Sequence, residues 1–126
     1  KAGDYAAELN GELFPVVFDR KSPGDLMGTL IQGHDRFVRE LGVAHEQGLK
    51  LIVIVECSYS DFVKKKFKGG RHSRIRPNVL TSILHSTMVS HGLEVVFCCN
   101  RSEMTKYIRN YFSALVKYEL KHNKEK

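Results

Sequence analysis

The sequence has little of what marks membrane, secreted or zinc-binding proteins. No segment reaches the roughly 18 consecutive apolar residues of a membrane span, and this stretch shows no signal peptide. The three cysteines have no metal-ligand spacing, and the histidines lack zinc-type spacings such as H-x-x-x-H. We therefore expect reduced cysteines in the core, no membrane partner and an intracellular location, in the cytoplasm and nucleoid or in the nucleus.

Internal repeats, low-complexity segments and linkers between domains are also lacking. With 126 residues and 42% hydrophobic content, the chain is long enough to bury a sizeable core. These properties predict a single domain that covers residues 1–126.

Hydrophobic periodicity predicts alternating helices and strands after a hairpin. Apolar residues from Leu26 to Ala44 recur at helical spacing, which predicts one long amphipathic helix that ends near Gly48. Two continuous apolar runs are typical of strands buried on both faces: Leu49–Cys57 and Leu93–Cys99. Further helices are predicted over three segments: Ser58–Phe67, Pro77–His91 and Ser102–His122. The sequence therefore predicts an α/β fold, in which a β-hairpin and parallel strands form a mixed central β-sheet flanked by helices.

The turn of the hairpin sets its register. Asn10-Gly11 is a strong signal for a type I′ turn, because both central residues of that turn need a positive φ. A two-residue turn at this position pairs Leu9 with Glu12 and, counted outward, Asp4 with Val17.

This register brings two carboxylates and one ammonium group to the same face. Asp19 is then the diagonal neighbour of Asp4, at about 7–8 Å. Lys21 points to the same face, whereas Arg20 points to the other one. Because Mg²⁺ needs only one or two carboxylates besides waters and substrate phosphate, the arrangement predicts a hydrolytic metal site. Pro15 cannot donate to the ladder, and a bulge there would shift the pairing by one residue.

The same residues resemble the nuclease motif of the XPF-type endonucleases, a branch of the PD-(D/E)XK superfamily. That motif is Gly-Asp-Tyr, then an acidic residue with Arg-Lys, three further residues and Asp-Leu; the chain has Gly3-Asp4-Tyr5, Asp19-Arg20-Lys21 and Asp25-Leu26. The similarity continues through residues 35–41 and 51–56 and covers nearly the whole chain. The acidic motif residue is usually Glu in the family and is Asp19 here. The family's opening strand and helix would lie before Gly3, so we expect this stretch to lack them.

The resemblance implies a restriction-endonuclease-like fold and metal-dependent hydrolysis of DNA phosphodiester bonds. It implies that Asp4 and Asp19 bind Mg²⁺ or Mn²⁺, and that Lys21 positions the attacking water. Arg20, as part of the same motif, would belong to the catalytic set.

Asp25 has two compatible interpretations. The resemblance implies a third active-site carboxylate at this position. The preceding residues, Ser22-Pro23-Gly24, are also typical of a helix N-terminus with a capping serine and a proline in the first turn.

Positive charge is concentrated in residues 64–76. This segment contains no acid and seven basic residues: Lys64, Lys65, Lys66, Lys68, Arg71, Arg74 and Arg76. Without them the formal net charge of +6 would fall to −1. The run brackets Gly69-Gly70, where a flexible backbone could follow a phosphate chain, which predicts a DNA-binding segment. Arg36 on the long predicted helix is a further candidate DNA contact; both surfaces could instead be merely solvated.

Together these features predict a metal-dependent DNA endonuclease. The resemblance adds the expected substrate, namely branched, flap or junction DNA in repair, recombination or replication. Two alternatives stay open: a catalytically inactive nuclease-like domain that binds DNA or a nuclease partner, and an interaction module whose last helix forms a dimer. A homodimer or a heterodimer is compatible with each interpretation.

Overall fold

The structure is a computed structural model that describes residues 4–9 and 11–124. Within these residues the strands are β1 (Asp4–Tyr5), β2 (Glu8–Leu9), β3 (Glu12–Leu13), β4 (Val16–Lys21), β5 (Lys50–Glu56) and β6 (Glu94–Cys98). The α-helices are α1 (Pro23–Ile31), α2 (His34–Glu46), α3 (Tyr59–Val63), α4 (Pro77–His91) and α5 (Arg101–Lys124).

Four strands form one mixed sheet in the order β1-β4-β5-β6. β1 is antiparallel to β4, whereas β4, β5 and β6 are parallel to one another. β2 and β3 form a separate two-stranded ribbon. The predicted α/β fold, with a mixed central sheet, a hairpin and flanking helices, is confirmed.

Helices cover both faces of the sheet, and each face has its own hydrophobic core. On one face, Val53 and Val55 of β5 pack with buried residues of α1 to α4, among them Leu26. On the other face, Phe18 of β4 packs with Met104 and its neighbours on α5. β5 supplies both cores because successive side chains of a strand point to opposite faces.

The prediction of one long helix is wrong, because the segment forms two helices that separate at Gln32-Gly33. The N–H of Gly33 donates to the carbonyl of Gly28 at 3.0 Å, and the ψ of Gly33 is 18°, outside helical geometry. Glycine is a poor helix former, which favours a break at this position. Leu30 and Phe37 are seven residues apart, so the apolar spacing continues across the break and hides it from a periodicity argument.

The remaining helices and the two buried strands lie where the sequence predicts them. α4 has the predicted limits, and β5, β6 and α5 differ from prediction by only one or two residues at their ends. α3 is shorter than predicted and stops at Val63. Two residues later, Lys65 has a φ of +61°, which is incompatible with continuing the helix.

Near its turn, the hairpin has the predicted register. Leu9 pairs with Glu12, and Gly11 has the positive φ, 82°, that the turn requires. Asn10, the other predicted turn residue, lies outside the described residues.

Further from the turn, the predicted register is wrong. Asp4 lies opposite Asp19, and not opposite Val17. The ladder is interrupted around Pro15, between β3 and β4, and the shift is two residues instead of the single residue expected for a bulge. Since side chains alternate with a period of two, a two-residue shift leaves every face assignment unchanged. Positions 4, 19 and 21 therefore still share one face.

Candidate active site

The end of β4 presents polar side chains where its neighbour β5 presents apolar ones. Asp19 and Lys21 pair with Val53 and Val55, which are fully buried on the α1 side. Asp19 is itself only 5% exposed, and its Oδ2 lies 3.2 Å from Nζ of Lys21. An unpaired carboxylate at such a position would be strongly destabilising, so the Lys21 ammonium supplies the counter-charge.

Asp4 is located by its backbone. It lies directly opposite Asp19 in the antiparallel β1–β4 pair, a closer relation than the predicted diagonal one. Directly opposite positions share a face and have Cβ atoms about 4.5–5.5 Å apart. The side chain of Asp4 lies outside the described part of the structure.

Asp25 lies in the first turn of α1, and the helix-cap interpretation is confirmed. The Ser22 hydroxyl accepts a hydrogen bond from the Asp25 N–H at 3.1 Å, and Pro23 occupies the first helical position. Asp25 also borders the cavity that Asp19 and Lys21 line, so both interpretations of this residue remain compatible. The cavity has a volume of about 490 Å³ and opens between β4, α1 and α2.

The donor chemistry around this cavity fits a hard divalent cation. Asp19 and Asp25 offer only oxygen ligands, and no described His or Cys side chain lines the cavity. Among the described residues, no three acidic, His or Cys side chains cluster closely enough to hold a metal. Mg²⁺ tolerates such a sparse protein contribution because it retains several waters and takes further ligands from substrate phosphate.

Arg36 borders the same cavity from α2. Its side chain is well exposed, and its Nε lies 3.9 Å from Oε1 of Glu40 one helical turn away. Exposed pairs of this kind contribute little to folding, so the guanidinium can serve an incoming phosphate at small cost.

The basic segment lies beside this cavity. Six of its seven basic residues are exposed: Lys64, Lys66, Lys68, Arg71, Arg74 and Arg76. The Lys68 carbonyl is close to Gly24 in the first turn of α1, since a Cβ built on Gly24 would lie 3.8 Å from that oxygen. Gly24 itself lines the cavity, so the segment reaches its rim.

Lys65 departs from the predicted basic surface. It is only 8% exposed, and its Nζ donates to the carbonyls of Ser73 and Ile75 at 2.7 and 2.5 Å. Lys65 therefore ties the two ends of the segment together and is not one of its exposed cations. Nothing in the sequence distinguishes it from Lys64 or Lys66, since lysine is ordinarily a surface residue.

The two glycines of this segment have defined conformational roles. Gly69 has a φ of +87°, which L-residues rarely adopt. Gly70 is buried at the start of a short 3₁₀ turn, and a Cβ there would clash with the carbonyl oxygen of Lys65. The basic segment is a folded loop with a defined shape.

We expect substitution of Lys65 to lower the stability of the fold far more than substitution of its exposed neighbours. Lys65→Met should lower the free energy of unfolding by about 2–3 kcal/mol, because it removes two charge-assisted hydrogen bonds and leaves two carbonyls unpaired. The triple variant Lys64→Ala, Lys66→Ala, Lys68→Ala should change stability little, because exposed charges contribute little to folding. Urea denaturation measures both.

The triple variant, which should be as stable as the native chain, should bind DNA more weakly. The native chain should bind duplex DNA with a slope of log affinity against log salt of about −3 to −5, and the triple variant should flatten it by up to about 2.5. A triple variant that kept both its affinity and its slope would identify the loop as solvated surface. A Lys65→Met variant as stable as the native chain would contradict the role of Lys65.

The cysteines are not part of the site. Burial raises the pKa of the Cys57 and Cys98 thiols, which makes both poor nucleophiles at neutral pH. Both are free and buried, as predicted, whereas Cys99 is free but exposed and is not a core residue.

Comparisons with known proteins identify the family. The family model described as the ERCC4 domain matches residues 1–111. No curated protein sequence matches the chain significantly. Within the described residues, no helix is both long and apolar enough to cross a membrane. Nucleases of the matched family act on DNA and generally depend on divalent metal ions. The chain belongs to the ERCC4 domain family, the family of XPF-type nuclease domains.

Proposed function

We propose that this domain is a metal-dependent DNA endonuclease that recognises branched, flap or junction DNA in repair, recombination or replication. The observation that supports this most directly is the nearly buried Asp19–Lys21 ion pair on the wall of an open cavity that the basic loop borders. DNA as substrate also implies an intracellular location.

In this proposal Asp19 and Asp4 hold Mg²⁺ or Mn²⁺, with Asp25 as a further oxygen donor at the rim. A divalent ion bound there supplies an acidic water and neutralises charge on the scissile phosphate. Lys21 orients the attacking water and stabilises charge on the phosphate oxygens, because its ammonium is already fixed by the contact with Asp19.

The exposed cations of the basic loop and Arg36 hold the DNA backbone on either side of the cleaved bond. Lysine and arginine contacts to phosphate fix position and carry no base information. Selectivity would therefore come from the shape of the DNA and not from its sequence.

A catalytically inactive domain that binds DNA or a nuclease partner is the second candidate. One observation favours it: Asp19 stands where the family usually has Glu. The helix α5 also exposes Tyr118 and Leu120 near its end, where a dimer partner could pack.

A cleavage assay separates the two candidates. The chain is incubated with duplex, single-stranded, flap and fork DNA in Mg²⁺, in Mn²⁺ and in EDTA. We expect cleavage of flap or fork DNA with either metal and none in EDTA. Cleavage that persisted in EDTA would contradict metal dependence. Binding of the same DNAs without cleavage in any metal would establish the inactive domain instead.

A further inference from the structure

A second cavity lies on the opposite face of the sheet from Asp19, between the β1–β4 edge and the first turns of α5. Its volume is about 240 Å³, and its lining includes Tyr5, Arg20, Arg101, Met104, Ile108 and Arg109. Asp19 and Lys21 do not line this second cavity, whereas Arg20 lines both cavities.

Strand alternation determines which motif residues face this cavity. Phe18 is buried on the α5 face, with its ring 5.2 Å from that of Tyr111 and 5.6 Å from that of Phe112. Arg20, two residues later, faces the same way. Tyr5 lies directly opposite Phe18 and shares that face. β1 and β4 therefore present Tyr5 and Arg20 to the α5 side of the sheet, whereas positions 4, 19 and 21 lie on the opposite face.

The charge of the cavity is suited to a phosphate. Three guanidinium groups line it, and none of the described lining residues is acidic. Nε of Arg101 lies 4.0 Å from Oε1 of Glu56, a distant contact between two exposed side chains that contributes little. Arginine binds phosphate oxygens through two parallel hydrogen bonds, so an anion of this kind complements the site.

The rest of the lining is suited to a nucleobase. Met104 and Ile108 are apolar lining residues, and Tyr5 is 39% exposed. Bases of single-stranded DNA stack on such exposed aromatic rings without regard to sequence. The cavity is smaller than the roughly 300–1,000 Å³ of pockets for drug-sized ligands, so a small group such as a single base is the better match.

We propose that this cavity binds one unpaired nucleotide of the DNA strand that is also bound at Asp19 and Lys21. Asp19 and Arg20 are consecutive, with Cα atoms about 3.8 Å apart, and they face opposite sides of the sheet. A strand bound at both must pass around an edge of the sheet, and an unpaired strand bends more easily than a duplex. The subsite rests on DNA being the ligand of the proposed function, and it explains selectivity for forks and flaps.

The test uses the full chain in EDTA, so that binding is measured without cleavage. A fork DNA carries 2-aminopurine at the unpaired nucleotide next to the junction, and a blunt duplex of the same length is the comparison. Binding of the native chain to the fork should quench the 2-aminopurine fluorescence. Tyr5→Leu should abolish the quenching and weaken fork binding about tenfold, as expected for one lost base–aromatic stack. Tyr5→Phe should retain both.

Arg109→Gln should weaken fork binding by about fivefold, because it removes one charge-assisted phosphate contact, and should change duplex binding less than about twofold. Lys117→Gln removes the same charge further along α5, where it does not line the cavity, and serves as the matched control. Equal losses for fork and duplex, or unchanged fork binding by Tyr5→Leu and Arg109→Gln, would overturn the subsite.

These results are independent of the cleavage assay. Fork-selective binding through the cavity without any metal-dependent cleavage would disprove the nuclease and leave the subsite standing. Metal-dependent cleavage by a chain whose Tyr5→Leu variant binds forks normally would do the opposite.

Discussion

Asp19→Asn should abolish cleavage, with a loss on the order of 10³-fold or more in the single-turnover rate. Removing a partner that only orients a metal ligand already costs about 10–100-fold in activity or metal affinity, and Asp19 is itself a proposed ligand. The substitution keeps the shape of the side chain and removes only its charge. Calorimetry should also show much weaker Mn²⁺ binding than to the native chain.

The matched control for this variant is Asp35→Asn. Asp35 lies in the first turn of α2 with 96% of its side chain exposed, so it loses the same charge outside the cavity. Its cleavage rate should stay within about twofold of native, as usual for surface changes. Asp4→Asn tests the other proposed ligand in the same assays. Undiminished cleavage by both Asp19→Asn and Asp4→Asn would disprove the metal assignment.

The sequence predicts the faces of the site better than its distances. The period of two along a strand places positions 4, 19 and 21 together, and that result survives because the observed shift is an even number of residues. The size of the shift depends on how the Phe14-Pro15 segment leaves the ladder. The Phe14 N–H still bonds to the Ala7 carbonyl in the register that the turn sets, so the shift arises after Phe14, where Pro15 has no N–H to donate.

The sequence does not predict the break between α1 and α2 or the burial of Lys65, because its pattern is the same with and without these features. An apolar repeat looks identical in one helix and in two helices that happen to continue its phase, as α1 and α2 do. The burial of Lys65 depends on carbonyls eight and ten residues away, so it appears only once the loop is folded. The charge of the segment predicts that its basic residues are exposed. Only the folded loop shows that Lys65 is buried.

Lys21 and Arg20 should separate chemistry from binding. Lys21→Met removes the ammonium that faces Asp19 and should reduce the single-turnover rate at saturating fork DNA by about 10²–10³-fold, the cost of losing one preorganised electrostatic contact. Arg20→Met removes a guanidinium that faces α5. It should raise the fork concentration needed for half-maximal rate, with less than about a tenfold loss at saturation, because uniform binding and not transition-state stabilisation is removed.

Stability must be measured alongside, since Lys21→Met also leaves the nearly buried Asp19 carboxylate without its counter-charge. Breaking a buried pair by removing one partner costs about 3–5 kcal/mol, so the free energy of unfolding should fall markedly, though by less than this because Lys21 is partly solvated. Arg20→Met should show a smaller decrease. Rates are therefore compared at a temperature where circular dichroism shows both variants folded. Equal losses of the saturated rate in the two folded variants would mean that Arg20 reaches the reacting phosphate, and the division of the motif between two faces would be wrong.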